Sequence, residues 1–194
     1  MTAGALVIAA GFSRRFGSDK RLYTLRSGRS MLQAALAPYL EVFRSVAVVV
    51  RATDSEVARH LLSGAGPRRP IIVTTQHAER GMSASLADGV RSLADWDYVF
   101  IGLGDMPFLR ADSLRTLDAR MREARRDAIA RIVVPMHDDR QGHPVGFSRE
   151  FFAELIALEG DQGAKRVIVA HPDAVMRVAV DDPGVVEDLD QPPL

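Results

Sequence analysis

The sequence contains no cysteine. Disulfides, thiolate catalysis, iron–sulfur clusters and cysteine-type zinc sites are therefore excluded within the chain. The five histidines show no H-E-x-x-H spacing, so the metalloprotease pattern is missing as well. Charge of one sign is also lacking: 25 Lys plus Arg stand against 25 Asp plus Glu, for a formal net charge of zero. Such balance gives no global electrostatic case for a nucleic-acid partner, and any anion site must be local. Long apolar runs are absent too. The N-terminal one covers only about six residues before Gly11 and the arginines, too short for a signal-peptide core or a membrane span. A cytoplasmic enzyme is the simplest expectation, with neither membrane nor nucleic acid as partner.

What is present is an alternation. Strand-like apolar runs fall at about 5–10, 45–51, 70–75, 97–103, 130–135 and 174–180, and helical patterns near 30–43, 54–63, 82–94, 111–127, 149–157 and 162–170. Alternation of this kind marks βαβ units and a mostly parallel sheet. The 194 residues suffice for one sizeable core, so a single domain over 1–194 is expected. Thr53 with Glu56 reads as a capping box for the second helix, and Pro38 should bend or interrupt the first. Residues Asp112 to Arg126 place Leu114, Leu117, Met121 and Ala124 at helical spacing. Their basic face could meet nucleic acid, but interspersed acids and the lack of aromatics favour a solvated outer face.

The most informative stretch is Ile8-Ala-Ala-Gly-Phe-Ser-Arg-Arg-Phe-Gly-Ser-Asp-Lys20. It follows the first strand with Gly11 and Gly17, the Ser13 hydroxyl, and the cations Arg14, Arg15 and Lys20. Glycine permits positive φ and removes the Cβ that would hold backbone N–H groups away from a phosphate. Arginine and lysine add charge-assisted hydrogen bonds. Two better-known phosphate loops fail by spacing. Walker A needs four residues between its glycines and a Lys directly after, but five intervene here and Ser18 follows. The dinucleotide fingerprint fails because Ser13 sits where its second glycine belongs.

Further along, Asp97-Tyr-Val-Phe-Ile-Gly-Leu-Gly-Asp-Met-Pro107 is a near-continuous apolar strand that ends in Gly104 and Asp105 at its carboxyl end, where open α/β sheets bind ligands. Asp105 could hold Mg²⁺, which takes one or two carboxylates and completes its shell with water and phosphate oxygens. Alternatively it caps the helix beginning near Arg110 or closes the turn at Pro107. Glu187, Asp188 and Asp190 form a second acidic group, either further metal ligands or a solvated tail. Gly81-Met-Ser-Ala-Ser-Leu opens a helix whose free N–H groups and small residues, Ser83 and Ser85 among them, would let a planar ligand approach. Gly142-His-Pro-Val precedes another helix, and His143 could be a proton carrier, a phosphate donor or an ordinary turn residue.

Taken in order, these segments resemble the MobA-like nucleotidyltransferases, which include molybdopterin guanylyl- and cytidylyltransferases. The loop is similar to their A-A-G-x-S-x-R-x-G-x-x-K signature, with Phe16 where Met is usual. Gly104-Asp-Met-Pro107 matches G-D-M-P, Gly81 to Gly89 matches G-M-S-x-S-L-x-x-G, and Gly142 to Val145 matches G-H-P-V. Gly160-Asp-Gln-Gly-Ala164 resembles G-D-x-G-A, and Asp188-Leu-Asp190 resembles D-I-D-T-P, with Gln191 in place of Thr.

The resemblance implies a three-layer α/β/α sandwich with a mostly parallel, Rossmann-like sheet, its N-terminal half binding nucleotide and its C-terminal half the acceptor. It implies a triphosphate grip by Ala9, Ala10, Gly11, Ser13, Arg14, Arg15, Gly17 and Lys20, and nucleoside contacts from Gly81, Ser83, Ser85 and Gly104. Arg15, Lys20 and Asp105 take the catalytic roles. Mg²⁺ falls to Asp105 with Asp190, or Asp188 in reserve. Acceptor contacts fall to Gly142, His143, Pro144, Gly160, Asp161 and Gly163. The A-A-G and G-H-P-V forms resemble cytidylyl members more closely, so CTP and a molybdopterin acceptor are expected ahead of GTP. A sugar phosphate or methylerythritol phosphate is a more distant acceptor. A molybdoenzyme or its chaperone is a possible protein partner, and a non-catalytic cofactor carrier is the competing class.

Overall fold

The structure is a computed structural model that describes residues 2–13, 16–64, 68–93, 95–127 and 131–191. Eight strands form one sheet: β1 (Ala3–Ile8), β2 (Ser45–Arg51), β3 (Ile71–Thr75), β4 (Tyr98–Leu103), β5 (Ile132–His137), β6 (Arg140–Gln141), β7 (Val145–Ser148) and β8 (Val175–Ala179). The helices are α1 (Met31–Val42), α2 (Ser55–Gly64), α3 (Met82–Arg91), α4 (Ala111–Arg126), α5 (Phe152–Ile156) and α6 (Lys165–Ala170). The strand order is β3-β2-β1-β4-β7-β5-β6, with β8 also on β5. Neighbours from β3 through β4 are parallel, as are β5 and β8, whereas β7 lies antiparallel between β4 and β5.

The strand sequences explain why both faces are covered. In β2, Val46, Val48 and Val50 join one buried cluster while Ala47 and Val49 join the other, as a period of two requires. Tyr98 and Phe100 against Val99 and Ile101 repeat the pattern in β4. One cluster takes Leu32, Leu36 and Tyr39 from α1, Leu61 from α2, and Leu114, Leu117 and Met121 from α4. The opposite cluster takes Leu86 and Val90 from α3, Phe152 and Leu155 from α5, and Val167 from α6. The result is the expected three-layer sandwich. No helix among the described residues is long and apolar enough to cross a membrane.

Local expectations met two corrections. Thr53 does not cap α2: the residue before the helix is Asp54, whose carboxylate is engaged by Arg21 and Arg51. A capping box instead opens α1, where Gln33 N donates to Ser30 Oγ and Ser30 N donates to Gln33 Oε1. Pro38 does not interrupt α1, which runs through it to Val42. Strand β7 falls outside the strands that the sequence pattern predicts, since its four residues are too few for a clear period and their pairing partners lie far away in sequence.

Candidate active site

Strand β1 ends at Ile8, and Ala9 and Ala10 continue buried into the loop that follows. The left-handed residue there is Ser13, at φ 52°, and not Gly11 as the glycine argument would have it. Gly11 matters for access: a Cβ added to it would meet nothing within 4 Å. Gly17 does adopt positive φ, at 77°. The loop closes on itself, because Phe16 N donates to Ser13 O at 3.0 Å and Lys20 N to Ser13 Oγ at 3.3 Å. Arg14 and Arg15 lie outside the described residues.

Beside the loop, β4 ends at Leu103, and Gly104 N donates to Ile8 O at 2.9 Å, which sets the two strand ends side by side. Asp105 therefore emerges where the loop begins. Lys20 Nζ donates to Asp105 Oδ2 at 2.8 Å and to Asp190 Oδ1 at 3.1 Å. Burial alone would lower the Lys20 pKa, but the Asp105 and Asp190 carboxylates outweigh it and raise the value, so the ammonium stays charged. The C-terminal segment arrives by a backbone bond, Leu189 N to Asp105 O at 2.8 Å. That bond puts the flanking Asp188 and Asp190 next to Asp105. Ligand oxygens of Asp105, Asp188 and Asp190 all lie within 4.8 Å of one another.

A divalent cation fits this set. All three donors are hard oxygens, and Asp105 Oδ1 is buried without a hydrogen-bond partner among the described residues, an arrangement that costs free energy unless a cation or water meets it. The helix-cap alternative for Asp105 is not what the fold uses. Arg110 N and Ser113 Oγ at the start of α4 donate to Asp182 Oδ2, at 2.9 and 2.7 Å.

Sequence reasoning missed the support of the loop. Arg21 is 3% exposed. It donates to Ala9 O at 2.8 Å, to Asp54 Oδ1 at 2.9 Å with a further bond to Asp54 Oδ2, and through Nε to Asp19 Oδ1 at 2.8 Å. One guanidinium thus ties the two ends of the loop to the start of α2. Arg51 Nη2 adds a 2.8 Å ion pair to Asp54. Burial would raise the Asp54 carboxyl, yet the Arg21 and Arg51 guanidinia hold it down to about 2. The only signal in the sequence was an acidic residue just ahead of a helix.

A cleft of about 310 Å³ runs over these elements, lined by Ala9, Ala10, Gly11, Ser13, Lys20, Gly104 and Asp105 on one side and by Glu79, Gly81, Met82, Ser85 and Asp161 on the other. Most of the expected nucleotide residues therefore share one cavity. Gly17 and Ser83 do not line it. Ser83 is 1% exposed, and its hydroxyl accepts from Gly163 N at 3.1 Å, so it fastens the 160–163 loop to α3. Asp161 enters the same cleft and not the vicinity of Gly142, because Ser83 N donates to Gly160 O at 3.1 Å and Met82 N to Asp161 Oδ1 at 3.3 Å. Gly81, at φ 102°, permits that approach, since any Cβ there would collide with Asp161 Oδ1.

Gly142, His143 and Pro144 lie just before β7, and His143 N donates to Val185 O at 2.7 Å. A Cβ on Gly142 would strike the same carbonyl group. The His143–Pro144 bond is cis. Burial lowers the His143 pKa against the pull of the Ile101 backbone and the Asp105 charge, and Nδ1 is buried without a hydrogen-bond partner among the described residues.

With the site laid out, comparison with known proteins is informative. The purine catabolism protein PucB of Bacillus subtilis is 28% identical over 95% of this chain and 90% of its own length. A probable molybdenum cofactor guanylyltransferase of Natranaerobius thermophilus is 22% identical over 66% of this chain and 60% of its own. Among solved structures, Rv0371c of Mycobacterium tuberculosis superposes with a TM-score of 0.79 at 27% identity, covering 98% of this chain and 93% of that one. Rv0371c has also been solved as a complex with manganese. Residues 5–183 match the MobA-like NTP transferase domain. The chain is a nucleotidyltransferase and belongs to the MobA-like NTP transferase family.

Proposed function

We propose that the protein transfers CMP from CTP to the phosphate of a molybdopterin-type acceptor and releases pyrophosphate. The observation that carries this reading is the meeting of Lys20, Asp105 and Asp190 at the parallel strand ends, beside the glycine loop. A phosphate monoester oxygen, already ionised at neutral pH, attacks the α-phosphorus in line, and the bond to the β-phosphate oxygen breaks as pyrophosphate leaves. No covalent protein intermediate is required. The protein's task is to position two anions and offset their charge.

Residue roles follow from placement. Backbone N–H groups at Gly11 and Ser13 receive the triphosphate, the persistently charged Lys20 ammonium faces the transferred and departing phosphates, and Arg14, Arg15 and Gly17 join the grip on the family resemblance alone. Asp105, Asp188 and Asp190 would hold Mg²⁺, which supplies positive charge against phosphate oxygens. Gly81 and Ser85 line the nucleoside side of the cleft. Gly142, His143 and Pro144 present a buried imidazole edge from the acceptor side. CTP is preferred to GTP on the resemblance of Ala9-Ala10-Gly11 to cytidylyl members.

Phosphorus NMR with the four nucleoside triphosphates, Mg²⁺ and molybdopterin tests the proposal. Pyrophosphate should accumulate with CTP in the wild type and fall on the order of a hundredfold in Lys20→Ala. Binding without turnover for every triphosphate would favour a cofactor carrier. Turnover with GTP alone would move the activity to guanylyl transfer.

A further inference from the structure

The cleft has two unlike walls. One bears the Lys20 ammonium, the open backbone at Gly11 and the metal-competent carboxylates, all suited to a polyphosphate. The other bears Ala78, Glu79, Gly81, Met82, Ser85 and Asp161. Among the described residues that second wall contains no cation and two carboxylates, so a triphosphate is repelled from it and the uncharged nucleoside must face it. Resting on the nucleotidyl-transfer reading above, we infer that Asp161 is the base-reading residue, and that its carboxylate restricts the site to nucleoside triphosphates whose base offers an exocyclic amine.

Three observations support Asp161 over its neighbour Glu79. Its position is fixed by the rest of the chain: Ser83 N to Gly160 O, Gly163 N to Ser83 Oγ and Met82 N to Asp161 Oδ1 staple the 160–163 loop onto the start of α3. A preset acceptor discriminates better than a swinging one, because the wrong partner cannot be met by rearrangement. Secondly, Gly81 has no room for a side chain beside this carboxylate, so Asp161 packs directly against the backbone at the start of α3 and is held on the cleft wall. Thirdly, only Oδ1 of Asp161 is hydrogen-bonded among the described residues, which leaves Oδ2 as an acceptor on a cleft-lining group.

The chemistry then selects by hydrogen-bond polarity. Cytosine presents an N4 amine where uracil presents an O4 acceptor, and adenine and guanine likewise carry exocyclic amines. A carboxylate facing uracil O4 leaves two acceptors opposed, with neither satisfied. Asp161 thus excludes uridine and thymidine nucleotides and leaves the choice among CTP, ATP and GTP to the shape of the cleft.

Asp161→Asn isolates the effect. Its Oδ1 can still accept from Met82 N, so the loop staple is retained, while the outward atom changes from acceptor to donor. Calorimetric titration of the wild type with each triphosphate and Mg²⁺ should show CTP at least about tenfold tighter than UTP. In Asp161→Asn that ratio should fall by about tenfold or more or invert toward UTP, and in Asp161→Ala it should approach unity, whereas Glu79→Gln should leave it unchanged. A ratio that survives both Asp161 substitutions, or one that collapses in Glu79→Gln, overturns the inference and leaves nucleotidyl transfer intact. Equal affinity of the wild type for CTP and UTP also overturns it. Failure of the wild type to bind any triphosphate removes the nucleotidyl-transfer reading itself.

Discussion

Strands β1 to β4 run parallel to one another, and what each strand end delivers to the site comes from the residues that follow it. From β5 onward the chain behaves differently. Strand β7 is threaded antiparallel between β4 and β5, and the acidic tail reaches the site through one backbone bond, Leu189 N to Asp105 O. The first region builds a phosphate-competent loop from consecutive residues held by Arg21. The second completes it from residues that have no local reason to be there. The loop after β1 is thus built by near neighbours in sequence, and the carboxylate cluster beside it by distant ones.

That contrast can be broken at several points. The largest effect is expected at the junction: Asp105→Asn should lower turnover on the order of a hundredfold, because Asp105 belongs to both regions through Lys20 and the tail. Pyrophosphate release at saturating Mg²⁺ measures it. Asp188→Asn should cost less and mainly raise the Mg²⁺ concentration needed for half-maximal rate. Equal losses in both variants would show that the tail is as central as the strand end.

Next in size is a purely structural break in the second region. Gly142→Ala drives a Cβ into Val185 O, and overpacking of this kind costs about 1–3 kcal/mol, readable as a lower urea midpoint. The metal response should weaken with it, since Val185 lies on the path that brings the tail to Asp105.

The first region has its own break, in acid. The folded-state pKa of Asp54 lies at about 2, below its ordinary value, so its contribution is fully present above about pH 4 and is lost as pH falls toward 2. About 2 kcal/mol of stability rides on that carboxylate, by the cost of a pKa unit. Urea melts between pH 5 and pH 2.5 should therefore fall more steeply in the wild type than in Asp54→Asn, which begins less stable. Parallel slopes would show that Arg21 draws its hold from Ala9 O and Asp19 alone. The smallest effect is expected for Ser30→Ala, which removes one half of the α1 capping box and should cost about 1 kcal/mol in a thermal melt with no change in nucleotide affinity.

Much of the site was legible because its parts carry strong local chemistry. Gly11, Ser13 and Asp105 each stand just past a clear apolar strand, Lys20 ends the loop after β1, and the structure brings them into one cleft. The Arg21, Asp54 and Arg51 network was not legible, since Asp54 looks like an ordinary residue before a helix until Arg21, 33 residues earlier, is folded against it. Ser83 illustrates the converse. Its place in a motif suggested a ligand contact, but the hydroxyl points to Gly163 N, and a helix start alone gives no sign of which loop will cover it. The resemblance of Gly160 to Ala164 to G-D-x-G-A groups Asp161 with the acceptor segments, and the fold sets it against Gly81 in the same cleft as the loop after β1.

By itself the sequence determined most of the elements and the composition of the loop after β1. Periods of two in the valine-rich strands and of 3.6 in the helices set the three layers, and glycines, a hydroxyl and cations after β1 set a phosphate loop, because these depend on near neighbours. Tertiary structure decided which carboxylates gather beside Lys20 and which one enters the cleft opposite them. Those pairings span up to 170 residues, as between Lys20 and Asp190, and side chains so far apart meet only when packing of the whole sheet repays the entropy of closing the chain between them.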